Sequence, residues 1–154
     1  MPVVDLKEMG GLLPPERRLM GLDVGSKTVG LALSDVRRMI ASPLKTLMRT
    51  KFTRDAQDLA KLIAEFEVGG LVLGLPVGMD GLEGPRCQSV RQFAANLMET
   101  VDLPVAFFDE RLSTAAVERI LIGEADLSRK RRKEVVDRAA AAYILQGALD
   151  LMGR

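Results

Sequence analysis

The sequence predicts an α/β protein whose sheet has mixed strand direction. Two observations lead there. From Arg18 to Met48 the chain reads as short apolar segments separated by turn residues, without helical spacing. From Thr53 onward, helical and strand-like segments alternate. Strands around a short turn pair antiparallel, whereas strands joined through helices are normally parallel with right-handed crossovers. The expected order is a three-strand meander followed by helix–strand–helix–strand–helix, giving five strands flanked by helices.

Residues 1–17 carry Gly10-Gly11 and Pro14-Pro15 and are expected to form a flexible N-terminal leader. Residues 18–154 are expected to form one domain, since 154 residues is an ordinary single-domain length. Arg18 to Val24 reads as a strand, Gly25-Ser26-Lys27 as a turn, and Val29 to Ser34 as a second strand. In that strand Val29, Leu31 and Leu33 alternate with Gly30, Ala32 and Ser34. A third strand is expected near Leu44 to Met48, after Pro43. Arg54 to Glu67 is helical in pattern, with Thr53 placed to cap it and Ala56, Leu59, Ala60, Ile63 and Phe66 on one face. Leu71 to Leu73 is a short buried strand, and the Gly- and Pro-rich stretch from Leu75 to Gly84 is a loop. Pro85 suits the first turn of a helix whose apolar face is Val90, Phe93, Ala94, Leu97, Met98 and Val101. Val105 to Phe108 is the next strand and leads directly into Asp109-Glu110. Ser113 can cap a following helix, with Leu112 and Val117 as a hydrophobic staple. The last helix is expected from about Lys133 to Met152.

Composition narrows the chemistry. The chain has no His and one Cys, so Ser-His-Asp triads, Cys-His pairs, imidazole metal ligands and Cys-rich zinc sites are excluded. Any metal must be held by oxygen, which suits Mg²⁺, Mn²⁺ or Ca²⁺. A net charge of +1 points to no partner by itself. Aromatic residues are only 4%, a poor stock for stacking successive bases. The longest apolar run, Ala139 to Leu145, is far short of the ~20 residues that cross a bilayer. With no signal-peptide pattern at the N-terminus, a cytoplasmic protein without membrane contact is expected.

Three acids stand out. Asp23 ends an apolar strand, where a carboxylate is costly unless paired or metal-bound; the plainer reading is an Asp that orders the turn. Glu110 follows the apolar strand Val105 to Phe108, at the end where α/β sheets gather their sites; the plainer reading is a surface acid paired with Arg111. Asp137 borders the small apolar face of Ala140, Ala141 and Ile144; the plainer reading is a first-turn Asp favoured by the helix dipole. Together they could hold two Mg²⁺ ions about 3.5–4 Å apart and serve phosphoryl chemistry. The basic run Arg129-Lys130-Arg131-Arg132-Lys133 reads as a solvated stretch or as a nucleic-acid contact. The loop from Gly74 to Gly81 could offer backbone N–H groups to phosphate, although it is no Walker motif. Lys27, Ser113 and Thr114 could assist there, Ser113 serving equally well as a helix cap. Cys87 reads as incidental.

Four blocks then resemble one family. They are Leu22 to Gly30, Gly74-Leu75-Pro76 with Met79-Asp80-Gly81, Asp109 to Thr114, and Val136-Asp137 with Ala139-Ala140. In this order they resemble the YqgF/RuvX family, and the Asp-Glu-Arg-Leu-Ser-Thr block is the most specific. The resemblance implies a ribonuclease H-like fold and a nuclease, described both as a Holliday junction resolvase and as maturing the 5′ end of pre-16S rRNA. It implies catalytic and metal-binding roles for Asp23, Glu110 and Asp137, with Mg²⁺ or Mn²⁺. The expected partner is nucleic acid, pre-rRNA or branched DNA, with an assembled ribosomal particle as a further candidate. Contacts are expected from Lys27, Arg111, Ser113, Thr114 and the basic run Arg129, Lys130, Arg131, Arg132 and Lys133. The family often has Asn before Met-Asp-Gly; Gly78 stands there, which puts a side-chain amide contact from this loop in doubt. The competing readings are a junction resolvase on DNA, a non-catalytic RNA-binding or transcription-associated factor, and an ATP-binding domain. The last needs two such domains, and this chain supplies one.

Overall fold

A computed structural model of the chain describes residues 3–78, 80–112 and 129–153. The elements are α1 (Leu6–Leu12), β1 (Arg18–Val24), β2 (Thr28–Ser34), β3 (Ala41–Met48), α2 (Phe52–Glu65), β4 (Val68–Leu75), α3 (Pro85–Thr100), β5 (Val105–Asp109), a 3₁₀ turn (Glu110–Leu112) and α4 (Arg129–Met152). All five strands form one sheet in the order β3-β2-β1-β4-β5. The β1–β2 and β2–β3 pairs are antiparallel, and the β1–β4 and β4–β5 pairs are parallel. This is the mixed sheet that the sequence implied.

Alternation along the strands sorts the core into two layers. Met20, Leu22, Val29, Leu31, Leu71 and Leu73 face α2 and α3. Leu19, Ala32, Val72, Ala106 and Phe108 face α1 and α4. β4 is buried along its whole length, as expected of a central strand covered on both faces. β3 begins at Ala41 and so includes Pro43. Proline is tolerated there because β3 is an edge strand, and the β2–β3 register shifts between Leu31 and Ala32.

Two expectations need correction. Residues 3–13 are built into the fold and are not a loose leader. Val4 donates its N–H to the Val105 carbonyl at 2.9 Å, and α1 buries Met9 completely. Met9 and Leu13 lie over Gly70, where the missing side chain makes room for them. The second concerns α2, which starts at Phe52, ahead of the cap expected at Thr53. Phe52 meets the Phe93 ring edge-on at 5.4 Å, drawing the first turn back onto α3. Asp55, buried, then reaches back to accept from the Thr50 N–H at 3.0 Å and its hydroxyl at 2.7 Å. The helix expected after Ser113 lies outside the described residues. No helix among the described residues is long and apolar enough to cross a membrane.

α4 lies unusually close to the sheet because glycines face it. A β carbon on Gly21 would come within 2.8 Å of Leu145 Cβ and 2.9 Å of the Ala141 carbonyl. One on Gly30 would overlap the backbone carbonyl of Asp137. Since main chain cannot swing aside as a side chain can, Gly30→Ala is expected to cost at least the ~1–3 kcal/mol typical of overpacking. Urea unfolding of that variant, compared with a Gly11→Ala control where the space is open, measures it.

Candidate active site at the carboxyl edge of the sheet

Parallel pairing puts the carboxyl ends of β1, β4 and β5 on one edge. Asp23 stands there, on the α4 side of β1. Its partner on β2 is Gly30. The register that matches Leu22 with Leu73 sets Gly74 beside it on β4. Neither neighbour carries a side chain, so two lanes open beside the Asp23 carboxyl. Asp137 enters over Gly30. Glu110 enters over Gly74, where a β carbon would lie 2.5 Å from Glu110 Oε1. The three acids are therefore delivered by a strand end, a 3₁₀ turn and a helix, and two glycines admit them.

Their proximity appears in the electrostatics. The Asp23 carboxyl is pushed up to about 8. Burial is the largest cause, followed by the charge of Glu110, a hydrogen bond with Glu110, and the charge of Asp137. Arg86 acts in the opposite direction. At neutral pH, without a cation, the protonated form of Asp23 is favoured, hydrogen-bonded to Glu110. Asp137 is held differently: the buried Thr28 hydroxyl donates to its Oδ2 at 2.6 Å.

Oxygen-only carboxylate ligands suit a hard divalent cation. A half-buried carboxyl pair in which Asp23 is driven to keep a proton is a place where such a cation would substitute for it. As arranged, no three acidic or thiol side chains among the described residues are grouped tightly enough to hold a metal. Asp23 and Glu110 are the hydrogen-bonded pair, and Asp137 is held by Thr28.

The other expected residues divide. Lys27 is exposed in the β1–β2 turn. Arg111 is tied down: it grips Asp109 through Nε at 2.8 Å and Nη2 at 2.5 Å, and donates to the Gly78 carbonyl at 3.4 Å. Asp109, and not Glu110, is thus the acid paired with Arg111. Ser113 and Thr114 lie outside the described residues. Arg129 to Lys133 form the first turns of α4, so the basic run is helical and precedes Asp137 on the same element.

The loop after β4 spends several of its backbone donors internally. Val77, Gly78 and Gly81 donate within the loop, to Leu75, Leu82 and Gly78 respectively. Leu82 N–H goes to Asp80 Oδ1 at 3.0 Å. That same oxygen fills the space a β carbon on Gly78 would need, which accounts for glycine at this position.

Sequence reasoning missed Thr28 and Arg86. Thr28 shares the even-numbered face of β2 with Gly30, so strand alternation could have placed it. Arg86 follows Pro85 in the first turn of α3, where a cation opposes the helix dipole and so calls for an anion nearby.

A family model described as "RuvX: Holliday junction resolvase" matches residues 17–151. A protein of Paramagnetospirillum magneticum named "Putative pre-16S rRNA nuclease" is 63% identical over 150 residues, covering 97% of this chain and 96% of its own. A protein of Rhodospirillum rubrum with the same name is 59% identical, covering 100% and 96%. Among solved structures, Thermus thermophilus RuvC bound to a Holliday junction superposes with a TM-score of 0.55 at 15% identity, covering 89% of this chain and 96% of that one. That likeness shows the fold alone, the ribonuclease H-like fold expected from the sequence.

The acid cluster carries a pH signature. Unfolded, Asp23 titrates near 3.8; folded, near 8. Between these values the folded state holds a proton that the unfolded state has lost, so stability falls as pH rises. In EDTA, urea unfolding is expected to show stability declining from about pH 4 and levelling above about pH 8. In Asp23→Asn this decline should be much reduced.

Proposed function

The chain belongs to the RuvX family, and on that premise we propose that it is a metal-dependent nuclease that hydrolyses structured RNA at the 5′ end of pre-16S rRNA. The observation that supports this most is the entry of Glu110 and Asp137 on either side of Asp23 over two glycines. The close relatives named for pre-16S rRNA favour the RNA substrate. The family description favours a second reading, resolution of a four-way DNA junction by the same chemistry.

Asp23 and Glu110 would hold a divalent cation, Mg²⁺ or Mn²⁺, with Asp137 completing the set. Such a cation supplies a water of lowered pKa and charge compensation at the leaving oxygen. The residues do the rest. Asp23 otherwise keeps a proton, and a cation held there would take its place. Thr28 orients Asp137 and limits its swing. Lys27 and the basic start of α4 hold the phosphates that flank the scissile bond; such contacts position the substrate without reading its sequence. No imidazole exists in the chain to act as a base.

A labelled pre-16S rRNA fragment and a synthetic four-way DNA junction, each with Mg²⁺, Mn²⁺ or EDTA, test the proposal. RNA cleavage is expected, lost in EDTA and reduced at least ~10²-fold in Asp23→Asn. Junction cleavage alone would select the second reading. Salt-sensitive binding without cleavage of either would indicate a binding factor or a need for the ribosomal particle. Thr28→Val should cost about 10–100-fold, as removal of a residue that orients a metal ligand does. Neutralising Arg131 and Arg132 together should lower the slope of log affinity against log salt by the equivalent of about two phosphates.

A further inference from the structure

On the other face of β1, beside the carboxylates, lies an open cleft of about 490 Å³. Successive strand residues point to opposite faces, so Asp23 faces α4 whereas Val24 faces α3 and lines this cleft. One step of β1, ~3.3 Å, separates the two. The volume falls in the range of small-ligand pockets, about 300–1,000 Å³.

The lining is cationic and contains no acid. Arg49 and Arg86 stand at its sides, and Ser89, Gln92 and Asn96 project from α3. Phe52 and Phe93 supply aromatic surface. Arg49 is pre-positioned: it donates to the Gly25 carbonyl at 2.7 Å and lies over the Phe93 ring at 5.3 Å. Arg86 is exposed and has no salt bridge or hydrogen bond among the described residues. Arg91, one turn further along α3, provides the contrast. It is neutralised by Glu83 through two bonds of 2.7 and 2.8 Å. Where α3 meets the cleft, Arg86 feels the charge of Asp23, but its guanidinium donors make no hydrogen bond among the described residues and are left for a ligand. Phosphate suits the guanidinium groups, a base suits the Phe52 face, and the Gln92–Asn96 amide pair offers donors and acceptors to a base edge.

We propose that this cleft binds one nucleotide of the substrate strand beside the scissile bond, its phosphate on Arg86 and Arg49 and its base against Phe52 and the α3 amides. The proposal rests on the nuclease reading above. A free nucleoside phosphate has the same chemistry, so the test separates the two sources. Labelled single-stranded RNA would be titrated by fluorescence anisotropy, in EDTA, against Asp23→Asn alone and Asp23→Asn with Arg86→Gln and Asn96→Ala. AMP would be titrated in parallel by NMR. The added substitutions are expected to weaken RNA binding at least ~10-fold and to lower the salt slope by about 0.7, one single-strand phosphate. Gln92→Ala with Asn96→Ala, both surface changes on α3, should weaken RNA binding without altering the salt slope. Unchanged RNA affinity and slope in both folded variants overturn the proposal. AMP binding that those variants abolish, with RNA affinity unchanged, overturns the strand assignment in favour of a free nucleotide. If the parent chain neither binds nor cleaves any RNA or junction, the nuclease reading fails instead, which cleavage assays on the unsubstituted protein establish separately.

Discussion

Between α4 and the sheet there is no room for one more carbon at Gly21 or Gly30. That contact governs where everything else in the site can stand. It brings the main chain of Asp137 down onto β2, within reach of the Thr28 hydroxyl. The same face of the sheet is glycine again at Gly74, which admits Glu110. Had β1 been flanked by ordinary side chains, its carboxylate would have had an apolar layer for company. The bareness of the sheet beside Asp23 lets three acids converge in a protein whose other positions on that face pack hydrocarbon.

Such convergence is costly without compensation. Burial and two neighbouring carboxylates raise Asp23 to about 8, and Arg86 relieves this only in part. The fold can tolerate the cluster in two ways, by retaining a proton or by accepting a cation. Both neutralise the same charge, so proton and cation compete for one place. The contacts around the cluster are rigid on one side and adjustable on the other. Arg111, Asp109 and Gly78 tie the end of β5 to the loop after β4. Among the described residues, the Asp137 carboxylate takes one hydrogen bond, from the Thr28 hydroxyl.

Much of this was legible in the residues. Strand alternation and Gly turns foretold the meander, and helical periodicity foretold α3 almost to the residue. Asp23 and Glu110 could be singled out because each interrupts an apolar pattern at a strand's end, and Asp137 because it borders a small apolar helix face. What the sequence hid was pairing across space. Nothing in one dimension says that Arg111 would take Asp109 rather than Glu110, or that the loop after β4 would spend its N–H groups on itself. The leader misled because Gly and Pro pairs suggest looseness, while Met9 and Leu13 bury against a glycine on β4 some 60 residues away. Arg86 was missed because a lone arginine in a first turn looks ordinary until the cleft beside it is seen to hold no acid.

The bond between Thr28 and Asp137 spans 109 residues of chain. Its neighbour, between Ala41 N–H and Gln146, spans 105. The β1–β2–β3 meander can form from local pairing, but these links require a long loop to close, which is entropically late. The approach of Asp23 and Glu110 is non-local too, since it needs β1, β4 and β5 paired in parallel. The acid cluster is therefore a product of the whole fold, and a chain that has only its β1–β2–β3 meander carries Asp23 without either partner. Under the proposed function, competence would arrive with the complete fold and not before it.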